Sequence, residues 1–351
     1  MGPFKIKKHS KEDFIVKRWL FLIFIASFLA MSLLAGCGGG NSGGGNDGGT
    51  TYTPGQSVTC TIAGVSFNIH YVPNCTSFPT GTGDSGIGSV SAAYWMAETE
   101  VTYQLWSTVY TWANTHGYTF DYPGGCGGYY NSSTDTSGTY DPGSGHETDP
   151  VTTINWRDAI VWCNALTEYY NAESGTSSGC VYKSGNDPIR NTNDTTNCDE
   201  VVPDESAKGF RLPTSMEWEL AARWRTDSTN TVSGYANPYF TKGNSASGAV
   251  GDSTNAEATK AVAWYWDNSN YPDSNINSTQ PVGGKTANAL GIKDMSGNVW
   301  EWCFDKIGST RMDRGGGWDG GADYLQVGNN MFYPTLTVVG SNLGFRFVRT
   351  Q

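Results

Sequence analysis

Hydrophobic periodicity is sparse in this chain, and where it is regular its period is helical. Leu105, Val109 and Ala113 fall on one face of a segment from Tyr103 to about Thr115, with Trp106 and Tyr110 beside them. Thr102 is placed to cap this helix and Gly117 to stop it. A second stripe, Ala159, Cys163, Leu166 and Tyr170, predicts a helix from Trp156 to Tyr170 behind an Asn155 cap. In Leu212-Pro213-Thr214-Ser215-Met216-Glu217-Trp218, Thr214 and Glu217 form a capping box, and a short helix runs on to about Trp224. The remainder reads as short strands and long Gly/Asn/Ser/Thr loops. Segments 121–150, 171–205 and 226–260 are polar enough to predict surface insertions, poorly ordered in places.

The C-terminal stretch has a different character. Arg314-Gly-Gly-Gly-Trp318 and Ser341-Asn-Leu-Gly-Phe-Arg346 frame a segment with neither helical nor strand period and no Lys, Arg or Glu. Glycine allows close backbone approach, and Trp and Phe anchor in a core, so the frame is suited to hold its contents still. Held between are Asp319, Gly320, Asp323, Tyr324, Asn329, Asn330, Phe332, Tyr333, Thr335, Leu336, Val338 and Val339. A segment like this reads as a display surface for ligand binding. The plainer alternative is an irregular loop that closes the domain. As framework, Trp300, Trp302, Arg314, Trp318, Phe345 and Arg346 are expected to be buried.

At the other end, Lys5, Lys7, Lys8, Lys11, Lys17 and Arg18 precede an uncharged run from Trp19 to Leu34. That run is short for a membrane span and suits a signal peptide's apolar region, so 1–36 is expected to be a signal peptide. Leu34-Ala35-Gly36-Cys37 resembles a bacterial lipobox, whose cysteine receives diacylglycerol; the alternative is an ordinary secretory signal with an incidental cysteine. Residues 37–57 are rich in Gly, Ser and Asn and predict a flexible tether reaching on the order of 25 Å. Gly38 gives no Asp-type retention signal, which favours the outer membrane and the cell surface.

Loss of 1–36 removes six basic and two acidic side chains and takes the net charge from −11 to −15. Nucleic acid is thereby excluded as a partner, because phosphate binding needs a basic face. Many aromatic residues and 45 Gly with only 16% charged residues indicate a loop-rich fold pinned by rings. Cys60 with Cys75 and Cys180 with Cys198 each bracket a short polar loop, and an exported protein can form such bridges. Cys163 and Cys303 sit in apolar settings and read as small buried hydrophobes. No CxxC spacing supports zinc or dithiol chemistry.

Several blocks, in order, resemble the formylglycine-generating-enzyme type of C-type lectin fold. They are Glu98-Thr-Glu100-Val-Thr102, Pro150-Val151 through Asn155-Trp156-Arg157-Asp158-Ala159, and Gly209-Phe-Arg-Leu-Pro-Thr214 with Glu217-Trp218-Glu219-Leu-Ala-Ala-Arg223. Asp294-Met-Ser-Gly-Asn-Val-Trp-Glu-Trp302, Arg314-Gly-Gly-Gly-Trp318 and Asn342-Leu-Gly-Phe-Arg346 complete the series. The resemblance covers about 85–350 and implies an α+β, C-type-lectin-like domain over 58–351 with long polar loop insertions.

Fold does not carry function, and the residues depart from the family's oxidase chemistry. In oxidase members a cysteine pair after the RGG element binds copper; counted from Arg314, those positions fall on Gly320 and Leu325, and neither offers a thiolate. Iron-dependent sulfoxide synthases of the same fold use a helical histidine cluster, whereas His70, His116 and His146 are scattered. The departures suit a third branch, variable proteins of the treponemal kind whose C-terminal segment is diversified by a retroelement. In that branch, codons derived from adenine-rich templates cannot become Trp, Met, Gln, Lys or Glu. Gln326 and Met331 would then be fixed positions.

The resemblance also implies a calcium site built from the Asp294 and Glu301 carboxylates with the Gly297 and Val299 carbonyls, a donor set of hard oxygens. The alternative is that both carboxylates accept backbone and Arg hydrogen bonds. No cofactor is required beyond that candidate structural calcium. The expectation is a monomeric surface lipoprotein that is not an enzyme. Its partners would be a membrane, reached through lipid on Cys37, and an unknown protein or surface ligand. The alternatives are an oxygen-dependent oxidase of the formylglycine-generating type with other residues recruited, and a purely structural envelope protein.

Overall fold

A computed structural model describes residues 51–270, 275–333 and 336–351. The signal peptide, Cys37 and the tether as far as residue 50 lie outside the described residues, as does Thr335. The side chains of Phe332 and Tyr333 are also outside the description.

An antiparallel five-stranded sheet joins the start and end of the domain. Its strands run in the order Ser57–Ile62, Val65–Val72, Tyr94–Ala97, Val348–Thr350 and Phe210–Arg211. Tyr94–Ala97 is buried along its whole length, and its side chains alternate between two clusters as strand geometry requires. Trp95 and Ala97 enter the larger one, while Tyr94 and Met96 enter the smaller. The larger cluster sits under the two longest helices, Tyr103–Asn114 and Trp156–Ser174. Trp106 and Trp162 stack there at 5.7 Å, and the edge of Phe345 meets both rings.

The three expected helices form behind the expected caps. The Thr102 side chain accepts from the Leu105 amide, and Asn155 with Asp158 and Thr214 with Glu217 make reciprocal capping boxes. The second helix runs on to Ser174 and ends at Gly175, whose φ of 70° suits the left-handed stop.

The polar segments lie largely at the surface as expected, but they are also built into the domain. Gly125–Asn131 and Thr136–Tyr140 form a hairpin that pairs with Ile276–Ser278, and Asp149 is fully buried. Cys180, Val181 and Tyr182 are buried, and short helices occupy Thr195–Asp199 and Ala256–Val262. Polar side chains, from the helix Trp156–Ser174 as well as from the segments themselves, tie their backbone in. Asn164 Nδ2 donates to the Tyr182 and Ile189 carbonyls, and Asn230 Nδ2 to the Ala249 and Gly251 carbonyls. Asn and Ser here satisfy buried peptide groups that water would otherwise have to serve.

Neither expected disulfide forms: Cys60, Cys180 and Cys198 are free thiols. Bracketing a loop does not bring two sulfurs together. Cys60 faces the larger cluster while Cys75 faces the smaller, and Cys180 and Cys198 pack as small apolar groups. Cys163 and Cys303 are buried as expected, and burial pushes both thiols up. The tether also ends sooner than expected. Tyr52 packs against Tyr71 and Trp95, and the Gly55 amide donates to the Tyr71 carbonyl, so 52–56 belong to the domain.

Candidate functional site

The frame around the C-terminal segment consists of buried charge pairs and indoles. Thr310–Arg314 pairs with Trp300–Ile307 on one side and with Met331–Tyr333 on the other, so the supposedly aperiodic segment contributes a three-residue strand. Leu343–Gly344 closes the sheet in parallel with Trp300 and Glu301. Arg346 and Glu301 are fully buried and bidentate, at 2.7 Å from Nε and 2.6 Å from Nη2, and the Trp218 indole donates to Glu301 at 2.8 Å. The expected framework set, Trp300, Trp302, Arg314, Trp318, Phe345 and Arg346, is buried throughout.

Arg314 acts as a clamp. It donates to Ser215 Oγ and to Glu219 Oε2 at 2.9 Å, and reaches across to the Asn329 carbonyl at 2.8 Å. The Trp318 indole donates to the Ser341 carbonyl, the Trp300 amide to the Asn342 carbonyl, and Asn342 Nδ2 to Asp319 Oδ2. The two ends of the segment are therefore stitched together beneath it.

Between the ends the chain dips into the protein from Leu325 to Gly328. Leu325 and Val327 are fully buried, and the Val327 and Gly328 amides donate to the Ser245 and Gly243 carbonyls. Gln326 donates to Ser253 Oγ. This dip divides the segment into two lobes, one before Leu325 and one after Gly328. In the first, Asp319, Asp323 and Tyr324 are exposed and Gly320 is half-buried. In the second, Asn329, Leu336, Val338 and Val339 are half-buried, and Val338 packs against the larger cluster. The display face is thus less uniformly exposed than its sequence suggests, because Leu325 and Val327 were needed as anchors.

At the oxidase cysteine positions, Gly320 lies against the Tyr324 ring and Leu325 fills a small apolar cluster with Ala246, Ala249 and Val262. The calcium set fits poorly. Both Glu301 oxygens are engaged by Arg346 and Trp218. Asp294, held at φ 53°, accepts from the Gly283 amide through Oδ2, and its buried Oδ1 has no partner. Burial pushes Asp294 up to about 6. Among the described residues no three His, Cys, Asp or Glu side chains come together to hold a metal. Glu301 takes the hydrogen-bonding alternative by serving Arg346 and Trp218, whereas Asp294 is satisfied at one oxygen alone, by the Gly283 amide.

Sequence reasoning missed the flank of the display segment. The Trp266 amide donates to the Gly320 carbonyl at 3.1 Å, and Trp266 is 43% exposed next to Tyr130 of the hairpin. A Cβ on Gly128 would fall 1.8 Å from the Ser341 carbonyl oxygen, so only glycine lets the hairpin lie against the segment. The one local signal was the aromatic cluster Trp264-Tyr265-Trp266 amid polar residues.

The fold and frame define a C-type-lectin-like protein of the formylglycine-generating type, with an irregular segment presented at its C-terminal end. Residues 87–351 match the Sulfatase-modifying factor enzyme 1-like domain, and the chain belongs to that family. It is 34% identical over 245 residues to "Chaperone protein LppX" of Paenibacillus barcinonensis, across 62% of this chain and 75% of that protein. Among solved structures, Treponema denticola variable protein 1 superposes with a TM-score of 0.59 at 27% identity, over 84% of this chain and 99% of that one. CarF superposes with a TM-score of 0.60 at 23% identity, over 81% and 98%, and supports the fold.

Proposed function

We propose that this protein is an exported lipoprotein that binds a partner through the C-terminal segment 319–342, and that this segment is diversified by a retroelement. The observation that carries the reading is the division of labour around Arg314. Conserving the fold falls to Arg314, Trp318, Leu325, Val327 and Arg346, all buried, while Asp319, Asp323 and Tyr324 between them are exposed. Side chains in the second group can change at little cost to the first. The likeness to Treponema denticola variable protein 1 supports this branch of the family over the oxidase branch. So do Gly320 and Leu325, which place no thiolate where the oxidase resemblance requires a pair. Lipid on Cys37 would anchor the protein, and the tether up to about Tyr52 would hold the domain off the membrane.

The test is to sequence the DNA around the gene. The reading expects a near-identical copy of the codons for residues 300–350, rich in adenine at the codons of the exposed residues, beside a reverse-transcriptase reading frame. A genome with no such copy overturns the retroelement reading.

A further inference from the structure

We infer that the binding face extends beyond 319–342 onto the flank made by Tyr130 and Trp266, and that it is built for a cationic polypeptide, a protein surface or segment rich in Lys and Arg. This inference rests on the proposed binding role of the segment and names the class of its partner.

The face is continuous. The Tyr324 ring lies against Gly320, whose carbonyl accepts from the Trp266 amide; the Trp266 ring is 6.4 Å from that of Tyr130, and the Tyr130 hydroxyl donates to Asp135 at 3.0 Å. Its aromatics are held in place. Tyr324 meets the edge of buried Trp300 at 6.0 Å, and Asn277 Nδ2 donates to the Trp266 carbonyl. Trp266 and Tyr324 nevertheless remain 43% and 40% exposed. Rigid exposed rings give contact area at small entropic cost, which is how binding faces are commonly built.

Charge sets the sign of the partner. Segments 121–149, 261–270, 275–280, 315–333 and 336–345, which meet at this face, contain no Lys or Arg. Asp135, Asp267, Asp319 and Asp323 are all exposed there. Lys285, on a neighbouring loop, is held 3.6 Å over the Trp264 ring and donates to the Lys260 carbonyl, so it does not reach out to neutralise them. Faces of indole and phenol rimmed by carboxylates attract ammonium and guanidinium groups through the ring quadrupole and through Coulomb attraction together. An anionic membrane or a nucleic acid would be repelled by the same groups.

The test uses the full chain in detergent and two labelled peptides, nona-lysine and nona-glutamate, with affinity read by fluorescence anisotropy at low and high salt. Nona-lysine should bind, with affinity falling as salt rises, and nona-glutamate should not. Trp266→Ala and the double variant Asp267→Asn/Asp323→Asn should each weaken nona-lysine by about tenfold or more. The control Glu205→Gln/Asp187→Asn removes the same charge from exposed sites elsewhere, and should change affinity by less than about twofold. Equal weakening by both double variants would mean bulk attraction and would overturn the inference, as would binding of nona-glutamate or no binding of nona-lysine. The double variants keep the test decisive if Trp266→Ala fails to fold. A template copy found in the DNA alongside a negative peptide result would leave the binding role standing and remove only the cationic partner.

Discussion

Arg346 shows how much of the fold rests on single buried charges. Its guanidinium pairs with Glu301 and also donates to the Ala97, Lys293 and Asp294 carbonyls, joining the early strand, the turn before Trp300 and the C-terminal strand. Arg346→Met would leave Glu301 charged and buried with only the Trp218 indole, and should cost about 3–5 kcal/mol in denaturant unfolding. Tyr324→Ala, on the exposed lobe, should cost less than about 1 kcal/mol in the same measurement. Carboxylates without partners act in the opposite sense. Burial pushes Asp313 up to about 7, and neither of its oxygens has a hydrogen-bond partner. Burial also pushes Asp158 up to about 7, although it accepts from the Asn155 and Asp121 amides. The unfolded carboxyl titrates near about 4, so the stability from keeping Asp313 neutral is full below that pH and is lost as pH rises through about 7. Unfolding free energy should therefore fall between about pH 4 and about pH 7, and Asp313→Asn should flatten that slope; an unchanged slope would contradict the assignment. At this scale the sequence was legible where aromatic and Arg residues sat in glycine frames, since nothing but burial uses a Trp or an ion pair that way. The pairing of Cys60, Cys75, Cys180 and Cys198 was not legible, because loop spacing says nothing of which cluster a side chain enters.

Elements were legible where the signal was local. A cap and a stripe of apolar residues determine a helix within a dozen residues, so the helices at Tyr103, Trp156 and Ser215 were readable with their boundaries close. Two- and three-residue strands such as Phe210–Arg211 and Leu343–Gly344 have no period to read; pairing with distant chain defines them. The ties between the polar segments and the core went unread for a related reason. Composition cannot distinguish an Asn that faces water from one, like Asn230, that ties two buried loops. The hairpin at Gly125–Asn131 is the functional consequence, since it supports the display segment through Gly128 against Ser341. Gly128→Ala should destabilise by about 1–3 kcal/mol through forced displacement of that contact. Gly179→Ala, where the nearest atom to a new Cβ is 3.6 Å away, should be near neutral, and equal effects in thermal unfolding would contradict the close approach.

For the whole molecule, the resemblance carried the fold correctly because its motifs are the parts that fix geometry: the capping box at Thr214, the turn at Asp294 and the Arg314 clamp. The extent of the proposed binding face was beyond reach of the sequence, since Tyr130, Trp266 and Tyr324 meet only through the tertiary fold. The proposed attachment to the membrane rests on the N-terminal region alone. Cys37→Ser should abolish metabolic palmitate labelling of the protein, and labelling equal to the parent would remove the lipid anchor from the account. The central claim is that a fixed scaffold presents a replaceable segment. It is tested most directly by thermal unfolding of the full chain with Asp319, Asp323 and Tyr324 all changed to Ala. The account predicts one cooperative transition within about 5 °C of the parent, since each exposed change is small and the anchors at Arg314, Leu325, Val327 and Arg346 are kept. Loss of the cooperative transition would show that these side chains hold the fold together, and would contradict it.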